Sequence, residues 1–272
     1  VRDPYFGGQG EGKATGFMVH DVRSVAGYHG NELGRYDVLT GWESEDYLAR
    51  MSDANVRRLL NVRYLYTNSA TSPIAGARLV AGPARNAAGN TAYLYELPED
   101  NPAAWVVPLA VKAPDDNVLA TLLDARFDVR RAALFDTAAA AVPARPVPPA
   151  LPAPSDVAVR VTRWEPGRIA LALDRPAPEG SALLVSENYY PGWSATVDGK
   201  AAPVGRADYV LTGVGLPAGA QAVELTFHSP RYATGKAVTL AALLLAALWS
   251  AAGVLHDRRR RWRRQGDAEL SR

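Results

Sequence analysis

Ala237–Leu255 runs for 19 residues without a charged side chain. As a helix rising ~1.5 Å per residue it would be roughly 28 Å long, close to the ~30 Å hydrocarbon thickness of a bilayer. A helix that is apolar on every side needs either lipid or a large protein core around it. The flanks decide between these. Lys236 precedes the run, and Arg258-Arg259-Arg260-Arg261-Trp262-Arg263-Arg264 follows it. The sequence therefore predicts a transmembrane helix over 236–256 and a basic tail over 257–272, with Trp249 and Trp262 near an interface. The positive-inside rule predicts a cytoplasmic tail and an extracytoplasmic position for everything before the span. Seven of the 19 positions are Ala. Small residues favour close helix–helix contact, so other membrane helices are the expected neighbours, with membrane lipid around them.

Composition bounds the rest. Of 272 residues, 48% are hydrophobic and 21% charged, which is the balance of a folded chain and not a disordered one. The absence of Cys excludes disulfides, thiol nucleophiles, Cys-ligated zinc and iron–sulfur clusters. The formal charge of +2 hides an asymmetry. His256–Arg272 holds seven Arg against three carboxylates, so the remainder is slightly acidic. That pattern gives no overall nucleic-acid footprint, and no nucleic-acid partner is expected. The chain begins at Val1 with a charged, turn-rich run, which reads as a piece of a longer protein.

Ala138–Pro154 contains 13 Ala or Pro among 17 residues. Repeated Pro blocks helix and central strand alike, so 138–155 is predicted to be a semi-rigid linker. Whether the parts on either side touch is left open by its length. Before it, Trp42–Arg50 and Ser52–Leu60 read as short helices, with Ser52 as N-cap. Val62–Thr67, Ala77–Ala81, Thr91–Leu97, Trp105–Lys112 and Ala132–Asp136 read as strands, and Asp115–Leu123 as a helix with acidic residues at its favourable end. After the linker the pattern is β only. The runs are Val157–Thr162, Ile169–Leu173, Leu183–Glu187, Trp193–Val197, Ala207–Leu211 and Val223–Phe227. Asp198-Gly199 adds a strong hairpin signal. The expected fold class is α+β. A mixed α/β domain over 1–137 would be followed by the linker, an antiparallel β-sandwich over 156–235, and one membrane helix.

Three strings then occur in order: Gly27-Tyr28-His29-Gly30-Asn31-Glu32-Leu33-Gly34-Arg35-Tyr36, Leu60-Asn61-Val62-Arg63-Tyr64-Leu65-Tyr66-Thr67, and Tyr189-Tyr190-Pro191-Gly192-Trp193-Ser194-Ala195-Thr196-Val197-Asp198-Gly199-Lys200. With Pro217-Ala218-Gly219 and the final span, they resemble the C-terminal part of the YfhO family of bacterial membrane proteins, over nearly the whole chain. That family is similar to glycosyltransferases of the C superfamily. The resemblance implies transfer of a sugar from a polyprenyl-phosphate carrier to an envelope glycan, with catalytic acids in early loops between upstream membrane helices. No catalytic residue is carried over to this chain on that basis. Pro102-Ala103 departs from the Arg that the resemblance implies after the Pro.

The remaining motifs are weak. Gly7–Ala14 approaches a P-loop but puts Ala14 where the Mg²⁺-ligating hydroxyl belongs. His20, His29, His228 and His256 have no local metal spacing, and no metal or cofactor is expected. Arg63 is expected to pair with a carboxylate inside its own domain. The glycan-binding candidates are Tyr189, Tyr190, Trp193 and Asp198, because aromatic faces stack on sugar C–H surfaces and carboxylates accept hydroxyl hydrogen bonds. Glu187 is a second acceptor of that kind. The same residues also read as structure, since Trp193 alternates with Ala195 and Val197 on a core face. Two functions stay open. One is the outer, C-terminal portion of a lipid-linked-sugar glycosyltransferase. The other is a non-catalytic, single-span surface protein whose sandwich binds glycan or a protein.

Overall fold

The structure, a computed structural model, describes residues 22–25, 33–42, 44–86 and 89–270, with the backbone alone for 257–270. Helices α1 (Gly34–Thr40), α2 (Tyr47–Ser52) and α3 (Ala54–Leu59) come first. Strands β1 (Tyr64–Thr67), β2 (Arg78–Arg85), β3 (Thr91–Glu96), β4 (Ala104–Val107) and β5 (Ala110–Ala113) follow, then helix α4 (Asp115–Leu122) and β6 (Ala133–Asp136). Beyond the Ala/Pro segment lie β7 (Val159–Glu165), β8 (Arg168–Leu173), β9 (Ala182–Asn188), β10 (Trp193–Val197), β11 (Lys200–Ala202), β12 (Val204–Ala207), β13 (Leu211–Gly215) and β14 (Ala222–Phe227). The chain ends in helix α5 (Pro230–Leu270). Two compact units result, divided between Phe227 and His228.

The first unit is built on a six-stranded sheet in the order β4-β9-β13-β12-β6-β5. Its strands alternate between two cores. Trp105, Val107, Ala182, Leu184 and Leu211 face one core, which also holds Leu39 of α1, Val56 and Leu59 of α3, and Val118 and Leu122 of α4. Ala104, Val106, Leu183, Val185 and Val214 face the other, together with Ile169, Leu171, Ala195, Val197, Val223 and Leu225 of the five-stranded sheet β11-β10-β14-β8-β7. Helices, central sheet and outer sheet thus form three layers. A central sheet buried on both faces needs apolar residues at consecutive positions, which is why Ala104–Val107 and Ala182–Val185 are apolar throughout. Each fully buried Leu or Val contributes roughly 1.5–3 kcal/mol of transfer free energy.

The Ala/Pro segment does not separate two domains. The β4–β9 pairing joins a strand before it to one after it, through Trp105 opposite Leu184. Ala207 of β12 pairs with Phe135 of β6 across the same segment. The antiparallel strands expected over 156–235 end at Phe227, and β4, β5 and β6 from the preceding region complete one of their sheets. The segment itself is a strap. Ala139, Ala141 and Val142 are buried in the helix-side core. Arg131 Nε donates to the Pro152 carbonyl at 2.6 Å, and Arg131 Nη2 donates to that of Leu151. Gly205 and Gly215 make room underneath. A Cβ at Gly205 would stand 2.9 Å from Cβ of Ala139, and one at Gly215 would strike the Ala141 carbonyl oxygen.

Other boundaries differ for local reasons. Pro108 divides Trp105–Lys112 into β4 and β5, because it has no N–H for the ladder. The strand expected over Ala207–Leu211 is broken at 208–210 by the turn between β12 and β13, with Asp208 and Tyr209 at φ 45° and 71°. The cap of α3 is Asp53 instead of Ser52, and its carboxylate accepts from the N–H groups of Asn55 and Val56 at 2.8 and 3.1 Å. The short α1 ends at Gly41 in the left-handed conformation. A peripheral three-stranded sheet, β1-β3-β2, carries the mostly exposed β2. In the second unit, Pro230–His256 is 27 residues long with a mean hydropathy of 2.2 in its most apolar window, enough to cross a membrane. The expected span is present with a longer helix around it.

Candidate functional site

Among the described strands one pair is parallel, β5 with β6, connected through α4. Open α/β units place ligands and chemistry at the carboxyl ends of their parallel strands. Here those ends deliver two acids, Asp115 just beyond β5 at the start of α4 and Asp136 at the end of β6. Arg35 on α1 is ion-paired to Asp115 through Nη2, and Arg206 Nη1 on β12 donates to Asp136 Oδ2 at 2.8 Å. The guanidinium of Arg35 lies over the Tyr209 ring at 5.0 Å, and that of Arg206 over the Tyr189 ring at 5.4 Å. A residue of the first sequence string and one of the third are thus drawn into one ionic cluster.

The two acids are pushed apart in acidity. The hydrogen bond from Arg35 holds the Asp115 carboxyl below the usual carboxylate range. Burial raises that of Asp136, reinforced by the nearby charge of Asp115 and opposed by that of Arg206. Both carboxyls remain within ion pairs, Asp115 to Arg35 and Asp136 to Arg206, so the cluster serves as a lock of α1 onto the sheet. Arg35 Nη1 is buried without a hydrogen-bond partner among the described residues. Next to this edge, Arg23 pairs with Glu187 at 3.2 Å and lies over the Trp164 ring at 4.6 Å. Burial raises the Glu187 carboxyl, and Arg23 opposes the rise.

The four aromatic and acidic candidates read from the sequence do not converge. Tyr189 joins the ionic cluster under Arg206. Tyr190 and Trp193 both pack on Phe227, at centroid distances of 6.3 and 5.4 Å. Asp198 lies past the opposite end of β10, roughly 16 Å along the strand at ~3.3 Å per residue. Its φ of 48° and that of Gly199, 76°, make the expected hairpin turn. Its carboxylate accepts from the N–H groups of Ala222 at 2.9 Å and Gln221 at 3.2 Å.

A groove of about 600 Å³ opens beside the strap, lined by Arg58, Glu99, Trp105, Arg130, Asp156 and Val157 among others. Burial and the neighbouring Arg130 charge lower the pKa of the Arg58 guanidinium. Arg63, expected in an internal ion pair, has no ion pair among the described residues and lies over the Tyr64 ring at 5.9 Å. His228 and His256 are exposed, and no cluster of metal-holding side chains occurs among the described residues. Gly7–Ala14, His20 and His29 lie outside the described residues.

The sequence reading missed the ionic cluster. The signal was available: a strand, a helix and a strand at 105–136 imply a crossover unit, and its strand ends point to Asp115 and Asp136. The partners Arg35 and Arg206 are distant in sequence and had no local mark beyond the first string.

Residues 150–239 match the family model described as bacterial membrane protein YfhO. The match contains the third string, takes in β7 through β14 and reaches the first turns of α5; the first two strings lie outside it. No curated protein and no solved structure matches the chain. This segment, which runs from the strap across the outer sheet and into a helix long enough to span a bilayer, is what the chain shares with the YfhO family of bacterial membrane proteins.

Proposed function

We propose that this chain is the extracytoplasmic, C-terminal portion of a YfhO-like glycosyltransferase, which moves a sugar from a polyprenyl-phosphate carrier onto an envelope glycan acceptor. The observation that carries the reading is the continuity of the family segment with the apolar helix Pro230–His256. The Arg run after that helix supports a cytoplasmic tail, and hence an outer position for the folded unit. Catalysis belongs to membrane helices upstream of Val1, and the outer fold shapes the acceptor side of the site. The ionic cluster of Arg35, Asp115, Asp136 and Arg206 fixes the sheet edge on which an acceptor would be held.

Two measurements on the natural full-length protein test this. This chain has no Cys, so once any cysteines elsewhere in the full-length protein are replaced, single cysteines report topology cleanly. Glu179→Cys should react with a membrane-impermeant maleimide in intact cells, and Gln265→Cys only after permeabilisation; the reverse would overturn the orientation. Deleting the gene should remove one sugar substituent from an envelope glycan, measured by mass spectrometry, and the full-length protein should restore it. An unchanged glycan profile would contradict the transferase reading.

A further inference from the structure

The apolar face of the outer sheet continues past the end of its core. In β14 the core-facing positions are Val223, Leu225 and Phe227, and in β10 they are Val197, Ala195 and Trp193. Val223 and Leu225 are buried, but Phe227 is 36% exposed. Trp193, its directly opposed cross-strand partner, is half-buried against the same core. Tyr190, 54% exposed, lies against Phe227 from the loop before β10. Three aromatic side chains therefore stand together at one end of the sheet.

The chain itself indicates what lies next to them. Three residue steps separate Phe227 from Pro230, a reach of at most ~11 Å. Pro230–His256 has 27 residues, so as a helix it is ~40 Å long against a hydrocarbon layer of ~30 Å. Its first turn, with Arg231, Tyr232 and Lys236 close by, therefore falls at headgroup depth. Tyr232 and Trp249 are ~26 Å apart along the helix, about the spacing of the two aromatic belts of a bilayer. Phe227 is tethered to that layer, and the rings that touch it share its position. Indole and phenol groups, apolar in body and polar at the tip, are the side chains that settle at this depth.

We propose that Tyr190, Trp193 and Phe227 form an interfacial anchor that seats the outer fold on the phospholipid surface at the boundary of headgroups and acyl chains. Arg231 and Lys236, at the start of Pro230–His256, favour anionic phospholipid. The anchor rests on Pro230–His256 spanning the bilayer, and it fixes the height of the outer fold above the membrane.

The test uses the full chain in nanodiscs of phosphatidylcholine and phosphatidylglycerol, with one environment-sensitive fluorophore on a single cysteine. Pro191→Cys puts the probe between Tyr190 and Trp193 while keeping all three rings. Glu179→Cys is the exposed reference, and Leu244→Cys reports the span. A nitroxide lipid labelled near the glycerol end of its acyl chain should quench the Pro191→Cys probe several-fold more than the Glu179→Cys probe. Adding Tyr190→Ser and Phe227→Ser should remove that excess. If a deep nitroxide quenches Leu244→Cys while Pro191→Cys stays as accessible to aqueous iodide as Glu179→Cys, the anchor is overturned and the span stands. Excess quenching that survives the double serine substitution would also overturn it. An unquenched Leu244→Cys probe would overturn both span and anchor.

Discussion

The six-stranded sheet and the three-stranded sheet of this protein are opposite solutions to the same problem. The first is covered on both faces, with β4 buried at all four positions and β9 buried over its first four. The second has one strand, β2, exposed at seven of eight positions, and relies on Tyr95 and a few aromatic neighbours for cover. Covering both faces required strands from both sides of the Ala/Pro segment. The stability of the first unit is therefore concentrated where the chain is least contiguous, and the locally paired β1–β3–β2 sheet is the region most easily changed.

Substitutions can break that contrast in graded steps. The largest effect is expected for Leu184→Ala at the centre of β9, where the side chain is fully buried between Trp105 and the helices. A loss of ~2–5 kcal/mol is expected, since the removed methyl groups leave a cavity that a two-faced sheet cannot close. Denaturant titration of the purified chain in detergent measures it.

The next effect depends on pH. Asp208 is fully buried in the β12–β13 turn, its Oδ1 accepts from the Leu134 N–H at 2.8 Å, and Oδ2 has no partner among the described residues. Burial pushes its carboxyl up to about 7. The unfolded chain would have it near ~3.9. Between these values the folded protein holds more protons than the unfolded one, so stability present at low pH is lost as pH rises through about 7. A difference of ~2–4 kcal/mol between the two ends of that window is expected, and Asp208→Asn should flatten it. Thermal melts across the pH series would show this as a Tm that falls in the parent and holds level in the variant.

Smaller again is Asp53→Ala, which removes the cap of α3 and should cost ~1 kcal/mol. Smallest is Leu79→Ala on β2, where a half-exposed side chain supports a thin sheet. A change within ~0.5 kcal/mol is expected there. A Leu79→Ala loss as large as that of Leu184→Ala would erase the distinction between the two sheets.

What the sequence made legible follows the same division. The apolar helix and the outer-sheet strands could be read because each is a local pattern: an uncharged run, or alternation such as Ile169, Leu171 and Leu173 with the small Ala170 and Ala172 between them. Asp198-Gly199 could be read because a tight turn needs positive φ at those two residues. The central sheet could not be assembled from its pattern, since Trp105–Val107 and Leu183–Val185 are apolar without alternation and give no face. The Ala/Pro segment misled for a related reason. Proline excludes helix and ladder, but it does not exclude burial, and Ala139, Ala141 and Val142 pack where small residues are needed over Gly205 and Gly215. The ionic cluster was hidden because its members lie on α1, α4, β6 and β12, and only the crossover topology brings them together.

The central claim is that the strap joins two parts of one fold. Its most direct test is a specific protease site inserted at the exposed positions 143–147, cut in the purified full chain in detergent. The structure requires the two fragments to stay together as one particle and to unfold in a single transition, because β4–β9 and β6–β12 hold them. Fragments that separate after cleavage, or that melt independently, would show two domains on a linker and contradict the account.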